Sequence, residues 1–157
     1  NLLVRDIERD LIPACRHKGV GVVTWGPLGG GFLSGKYQPG QRSLPGTRSE
    51  EGWAYPESFF PESADRILET LLDTANDLGK GAAETAIRWI LEQEAITSVI
   101  VGARTIEHLE ANLSAATWEL PPPALARLSE VSAPRIGYPE AMEWFRDEQR
   151  LGAIRRV

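Results

Sequence analysis

The sequence predicts an α/β protein with a parallel sheet, because short β-branched segments alternate with amphipathic helical segments along the chain. Two segments, residues 20–25 and 97–101, have the composition of strands. Each runs into a loop, and the second loop opens directly into a helix at Thr105. Strands that are joined through helices in this way pair in parallel.

Composition limits the class of protein. Of the 157 residues, 42% are hydrophobic and 25% are charged. This composition is typical of a soluble protein with one hydrophobic core and excludes a disordered chain. The net charge of −5 argues against a nucleic-acid partner. No apolar run approaches the ~20 residues of a membrane span. The single cysteine, Cys15, cannot form an internal disulfide, so we expect a cytoplasmic protein.

The first predicted helix covers residues 6–18, where apolar side chains recur at helical spacing and Gly19 follows as a stop signal. The recurring positions are Ile7, Leu11, Ala14 and Cys15. Pro13 implies either a kink or a fresh start with Asp10 as the N-cap. Residues 20–25 then form a short apolar run bounded by glycine, the pattern of a strand buried on both faces.

Residues 26–61 are rich in Gly, Pro and Ser and also carry aromatic side chains. A loop of this length in a compact domain is usually functional or disordered, and the embedded aromatics favour a folded, functional loop. Trp53 and Tyr55 are candidates to contact a substrate. The alternative is that they only pack the loop against the domain.

Residues 64–78 form the clearest predicted helix, with one apolar stripe. The stripe contains Ala64, Ile67, Leu68, Leu71, Leu72, Ala75 and Leu78. Residues 79–81 interrupt the pattern and residues 83–92 repeat it, before the second strand.

Thr105 is predicted to cap a helix that runs to about residue 115. Its inward positions are Ile106, Leu109 and Leu113. Prolines 121–123 then open a last helix, which carries Leu125, Leu128 and Val131. Beyond Pro134 we expect an irregular tail or a short helix.

The predicted sheet is too small for the chain to be a complete domain. Two parallel strands leave both faces and both edges of a sheet poorly covered. The chain also begins with Asn1 and enters an apolar pair, Leu2-Leu3, at once. We therefore expect an N-terminal half that precedes Asn1.

The two loops after the strands have the composition of an anion site. Glycines 29–31 let backbone N–H groups approach an anion closely, and Thr105 opens a helix whose N-terminus attracts negative charge. Barrel enzymes build phosphate sites in this way at the C-terminal ends of their strands.

Three segments resemble the aldo-keto reductases. They are Asn1-Leu2-Leu3 with Arg5-Asp6-Ile7-Glu8, the run from Trp25 to Tyr37, and the run from Ile100 to Leu113. These segments are similar to the family's sixth, seventh and eighth strands with the chain that follows each. The resemblance implies a (β/α)8 TIM barrel, of which residues 1–157 form the C-terminal, cofactor-binding half with strands seven and eight.

The resemblance implies an NADP site in two parts. Trp25 lies where the family stacks an aromatic ring on the nicotinamide, although a tryptophan at a strand end can also be a core residue. Gly26, Pro27, Leu28, Gly30 and Lys36 lie around the pyrophosphate, where a lysine adds positive charge. The alternative for this loop is a flexible surface segment with a solvated lysine.

Gly102, Arg104, His108 and Asn112 lie where the family holds the 2′-phosphate and adenine. Arg104 can bind a phosphate through two hydrogen bonds and favours NADP over NAD. His108 and Asn112 are one helical turn apart. Family members often carry Gln where His108 stands, so an exposed helical histidine is an equal alternative. Glu107 and Glu110 are predicted to be solvated.

No catalytic residue and no metal site is assigned to the chain. The family's tyrosine, lysine, aspartate and histidine come from the N-terminal half of the barrel, and Tyr37, Tyr55 and Tyr138 match none of these positions. The resemblance implies an NADPH-dependent reduction of a small aldehyde or ketone by the whole protein. A non-catalytic NADP-binding or regulatory half-barrel and a truncated product remain as alternatives.

Overall fold

The computed structural model describes residues 1–47, 49–50, 56–135, 137 and 142. Among them the helices are α1 (Leu11–Lys18), α2 (Ala64–Asp77), α3 (Ala82–Leu91), α4 (Ile106–Ser114) and α5 (Pro122–Val131), and the strands are β1 (Val22–Thr24) and β2 (Ile96–Val99). Short 3₁₀ turns cover Asp6–Glu8, Gly29–Ser34 and Glu57–Phe59. In this described part, no helix is both long and apolar enough to cross a membrane.

Strands β1 and β2 pair in parallel, as predicted, with Val22 opposite Ile96 and Thr24 opposite Val99. The Ile100 N–H extends the pairing by donating to the Thr24 carbonyl at 2.8 Å. Because the strands are parallel, both C-terminal ends lie at one edge of the sheet. The loops that follow β1 and β2 therefore start side by side.

Helices α2, α3 and α5 and the N-terminal segment enclose the core. Helix α2 packs against both α3 and α5, and the predicted stripe of α2 is confirmed. Its buried members are Ala64, Ile67, Leu68, Leu71 and Ala75, while Leu72 and Leu78 are partly buried against the same core. Leu2 and Leu3 are also buried there. The chain before α1 is thus part of the domain rather than a loose end.

A polar group of side chains, called here the Arg5 cluster, joins the N-terminal segment to α3 and α5. It consists of Arg5, Glu8, Trp89, Ser129 and Ser132. Arg5 donates to both carboxylate oxygens of Glu8 at 2.7 and 2.8 Å, to the Ser129 carbonyl at 2.7 Å and to the Ser132 hydroxyl at 3.0 Å. Its guanidinium lies 5.1 Å from the ring centre of Trp89, whose Nε1 donates to Ser129 Oγ at 2.9 Å.

The structure corrects the start of the first predicted helix. Residues 6–8 form a separate 3₁₀ turn, and α1 begins afresh at Leu11. Pro13 is then the third helical residue, where a missing N–H leaves no intrahelical bond unmade. Asp10 occupies the N-cap position, but its side chain makes no capping hydrogen bond.

Two predicted burials are wrong for the described chain. Val23, in the middle of the strand predicted to be buried on both faces, is 56% exposed. Leu11, one of the recurring apolar positions of the first predicted helix, is 59% exposed. The predicted inward residues of α4 are exposed as well; they are Ile106, Leu109 and Leu113. The apolar periodicity is present in each case, but none of the described elements covers these faces. Along β1 the partial burial of Val22 and Thr24, on either side of exposed Val23, shows that one sheet face is covered and the other is open.

Candidate functional site

The loop after β1 is a folded chain of turns, not a flexible segment. The Gly29 N–H donates to the Gly26 carbonyl at 3.1 Å, and the Leu28 carbonyl accepts from both Gly31 and Leu33 at 2.9 and 3.1 Å. Successive turns of this kind need backbone in the left-handed region, which glycine supplies at low cost. The glycines with positive φ here are Gly26, Gly29, Gly30, Gly31 and Gly35.

In the same loop, several buried side chains anchor the backbone, while one aromatic ring is exposed. Pro27 is buried and Leu28 packs, partly buried, against the hydrophobic core. Phe32 and Leu33 are 2% and 0% exposed and fix the far end of the loop. Trp25 is 76% exposed, so the described residues do not bury it as a core tryptophan. The loop therefore presents one aromatic face on a rigid support.

Lys36 brings positive charge to the glycine turns. A Cβ atom added at Gly31 would lie 3.3 Å from Lys36 Nζ, so the ammonium group rests against the bare backbone of that glycine. The same Nζ lies 5.3 Å from the ring centre of Tyr37. A cation held beside exposed peptide backbone is suited to binding an anion.

Tyr37 ties this loop to the segment that follows it. Its hydroxyl hydrogen-bonds with Thr47 and Ser49, each at 3.3 Å, and the side chain is 3% exposed. Burial works to raise the pKa of Tyr37, but the hydrogen bonds with Ser49 and Thr47 and the charge of Lys36 outweigh it and lower the pKa. The buried hydroxyl is directed into the loop, which gives Tyr37 a structural role.

Arg42 and Asp65 form a clasp that sequence reasoning missed. The Arg42 guanidinium donates to both oxygens of Asp65 at 2.6 and 3.1 Å and lies 5.1 and 5.0 Å from the ring centres of Phe32 and Phe60. The hydrogen bond from Arg42, with a second from the Gly40 N–H, lowers the pKa of Asp65. The clasp fixes residues 40–42 to the start of α2. The arginine and aspartate are present in the sequence, but no local pattern indicates that they pair.

The loop after β2 is held by α4. Asn112, which is 6% exposed, donates from Nδ2 to the Gly102 carbonyl at 3.3 Å. The predicted N-cap is confirmed, because Thr105 Oγ1 accepts the His108 N–H at 3.2 Å. Arg104 and His108 are exposed. A Cβ atom at Gly102 would meet nothing within 4 Å, so this glycine faces open space.

The N-terminus of α4 already attracts one negative group. The Glu107 carboxylate accepts its own backbone N–H, which lowers its pKa, and the Thr105 hydroxyl adds a further hydrogen bond. Negative charge is stabilised at this end of a helix because its first N–H groups lack intrahelical partners. Glu107 is solvated, as predicted, and its own carboxylate lies at this terminus.

The predicted site residues fall into two groups along the chain, which follow the paired strands β1 and β2. One group surrounds the glycine loop and Lys36, and the other surrounds the N-terminal end of α4; the Ile100–Thr24 hydrogen bond joins the strands that carry them. Trp53, Tyr55 and Tyr138 lie outside the described residues. The part of the chain that is described contains no cluster of three or more His, Cys, Asp or Glu side chains able to hold a metal ion.

Comparison with known proteins places this arrangement in a family. Residues 1–133 match the Aldo/keto reductase family. The chain is 34% identical over 145 residues to the uncharacterized oxidoreductase YrpG of Bacillus subtilis. This alignment covers 92% of this chain and 42% of that protein. It is 31% identical over 140 residues to the putative aryl-alcohol dehydrogenase AAD10 of Saccharomyces cerevisiae, covering 88% of this chain and 48% of that protein.

A third relative is the aryl-alcohol dehydrogenase [NADP(+)] of Phanerodontia chrysosporium. It is 28% identical over 140 residues, covering 88% of this chain and 36% of that protein. The chain therefore spans less than half the length of each of these three relatives. The family match extends over most of the chain, from the buried N-terminal segment through α5. The chain belongs to the aldo/keto reductase family.

Proposed function

We propose that this chain is the C-terminal, cofactor-binding half of an NADP-dependent aldo-keto reductase, which transfers a hydride between NADPH and an aldehyde or ketone. In this proposal residues that precede Asn1 complete a (β/α)8 barrel and supply the catalytic tetrad. The relatives' greater length supports it, as do the uncovered apolar faces of β1 and α4. In a closed barrel a strand is covered on both faces.

The observation that carries the proposal is that each of the two paired strands is followed by a feature suited to an anion. Lys36 lies against the turn at Gly31, and α4 begins with an N-terminus that attracts negative charge, beside exposed Arg104. A nucleotide with a pyrophosphate and a 2′-phosphate needs two separated positive regions of this kind. The donor set therefore fits NADP, which when bound supplies or accepts the hydride.

Each residue has a role that follows from its placement. The Lys36 ammonium and the backbone of the turn at Gly30 would hold the pyrophosphate. Arg104, with its planar guanidinium, would bind the 2′-phosphate through two hydrogen bonds. Asn112 would act through the Gly102 carbonyl by holding the loop after β2 against α4. Exposed His108 would be available to the adenosine end.

Trp25 would provide the flat surface for the nicotinamide. Its ring is largely exposed, while neighbouring Pro27 is buried, so the ring projects from an anchored loop. A flat π-face holds a stacked ring in one plane and leaves the opposite face to the substrate. The name of the Phanerodontia relative suggests aromatic alcohols and aldehydes as the first substrates to test.

Arg104→Ala in the full-length protein tests the cofactor assignment. A charge-assisted contact to phosphate contributes about 1.5–3 kcal/mol, so the dissociation constant for NADPH should rise roughly tenfold or more while that for NADH changes little. Arg16→Ala is the matched control, because Arg16 forms only an exposed ion pair with Glu94 at 3.1 Å. Equal weakening of NADPH and NADH would remove Arg104 from the phosphate site.

The second candidate is a non-catalytic NADP-binding or regulatory half-barrel. It is favoured because the features suited to the cofactor, Lys36 at the glycine turn and the start of α4, lie in this chain, whereas no catalytic residue is assigned to it. Oxidation of NADPH by the full-length protein in the presence of aromatic aldehydes separates the two candidates. Turnover supports the reductase, whereas tight NADPH binding without turnover across aldehydes and ketones supports the accessory role.

A further inference from the structure

We propose that Asn1 is a positioning residue for the aromatic face of Trp25, acting through the carbonyl of Gly26. The inference rests on the proposed function, since it assigns a purpose to a contact beside the nicotinamide-stacking ring. Asn1 Nδ2 donates to the Gly26 carbonyl oxygen at 2.9 Å, across 25 residues of chain. Gly26 directly follows Trp25, so this bond holds the Gly26–Pro27 peptide group, one residue beyond the ring.

The remaining contacts of the Asn1 carboxamide fix its orientation. Oδ1 accepts the backbone N–H groups of Leu3 and Val4 at 2.9 and 3.0 Å. A flipped amide would direct Oδ1 at the Gly26 carbonyl, which has no hydrogen to donate, and its NH₂ at two N–H donors. The three partners therefore admit one orientation only, and they require a side chain that both donates and accepts.

Two hydrogen bonds to its carbonyl hold Gly26, in addition to the burial of neighbouring Pro27. Gly26 adopts φ +62°, and a Cβ atom there would meet nothing within 4 Å. The Trp25 ring is largely exposed. The Gly26 carbonyl accepts from Asn1 and from the Gly29 N–H, so Asn1 links this turn by a hydrogen bond to the buried segment at Leu2 and Leu3.

The substitution Asn1→Asp separates this role from local structure. A carboxylate keeps the acceptor for Leu3 and Val4 but replaces the donor to Gly26 with a negatively charged oxygen facing a carbonyl oxygen. Asn1→Ser is the second variant, because a hydroxyl can accept locally from a following N–H but is too short to bridge to Gly26. Asn76→Asp makes the same chemical change on the exposed surface of α2 and is the control.

The experiment measures the dissociation constants of the full-length variants for NADPH and for 2′-phospho-ADP-ribose, which keeps the pyrophosphate and lacks the nicotinamide. We expect both Asn1 variants to bind NADPH about threefold to tenfold more weakly, the range expected for one hydrogen bond, and to bind 2′-phospho-ADP-ribose like the wild type. Asn76→Asp should leave both constants unchanged. This pattern would support positioning of the nicotinamide end.

Other outcomes overturn the inference. Equal weakening of both ligands would show a general structural role for Asn1. Unchanged binding of both ligands, with NADPH still weakened by Trp25→Ala, would reject the role of Asn1 and leave the proposed function standing. If the wild-type protein binds neither ligand, the proposed function fails and the inference about Asn1 fails with it.

Discussion

Ser129→Ala should destabilise the protein through the indole of Trp89. Trp89 is 2% exposed, and its Nε1 donates to Ser129 Oγ at 2.9 Å. Removing the hydroxyl leaves a buried N–H without this acceptor, which costs about 1–3 kcal/mol of the free energy of unfolding. The loss exceeds what an exposed serine contributes, so Ser58→Ala on the surface should change stability by less than about 0.5 kcal/mol.

A double-mutant cycle isolates the hydrogen bond from the packing of the ring. Trp89→Phe removes the N–H together with part of the ring, and should cost about 2 kcal/mol because it leaves a cavity. Once the N–H is absent, adding Ser129→Ala should cost little more. The expected coupling between the two positions is therefore about 1–2 kcal/mol. Urea unfolding of the full-length variants, followed by circular dichroism, gives the four free energies.

Strict additivity of the two substitutions would refute this reasoning. It would mean that the indole N–H finds another acceptor when Ser129 is truncated. A small effect of Ser129→Ala alone would lead to the same conclusion. The Arg5 guanidinium also lies over the ring, and Phe at position 89 retains an aromatic face for it, so the cycle reports on the hydrogen bond.

Two further predictions concern the loop after β1 and its clasp. Gly35 has φ +90°, and a Cβ atom there would lie 3.1 Å from the Cβ of Ala82. Gly35→Ala should therefore lower the free energy of unfolding by about 1–3 kcal/mol, which urea unfolding would show as a lower midpoint. An unchanged midpoint would contradict this prediction. The hydrogen bond from Arg42 lowers the pKa of Asp65, so the stabilisation it gives is present above the unfolded-state value of 3.8 and is lost as pH falls through the lower folded value. The wild type should therefore melt at a higher temperature than Asp65→Asn at pH 7, and the two melting temperatures should converge below pH 3.8. A difference that persists in acid would show that the clasp is not the source of the added stability.

Local features of the fold could be predicted from the sequence because their causes are local. The apolar stripe of α2 and the cap at Thr105 depend on spacing within one or two helical turns. The parallel pairing of β1 and β2 follows from the helical crossover between them. These predictions needed no knowledge of distant partners.

Predictions about burial were wrong where the partner surface is not among the described elements. The stripe at Ile106 and Leu109 has the right spacing, but spacing indicates only that a face is apolar and not what covers it. The site shows the same limit. The glycine loop and Arg104 are predicted as site residues from motifs, whereas the contact of Asn1 with Gly26 and the pairing of Arg42 with Asp65 join residues more than 20 positions apart.

The Arg5 cluster has a consequence for the order of folding. Arg5 and Ser129 are separated by 124 residues, so their contact closes a long loop and bears a large entropic cost. Helices α2 and α3 are neighbours in sequence and can pair early at little cost. The N-terminal segment should therefore dock late, after the rate-limiting barrier, so that losing Arg5 would speed unfolding more than it slows folding. A residue that joins two segments so distant in sequence would then govern how long the folded state lasts rather than how quickly it forms.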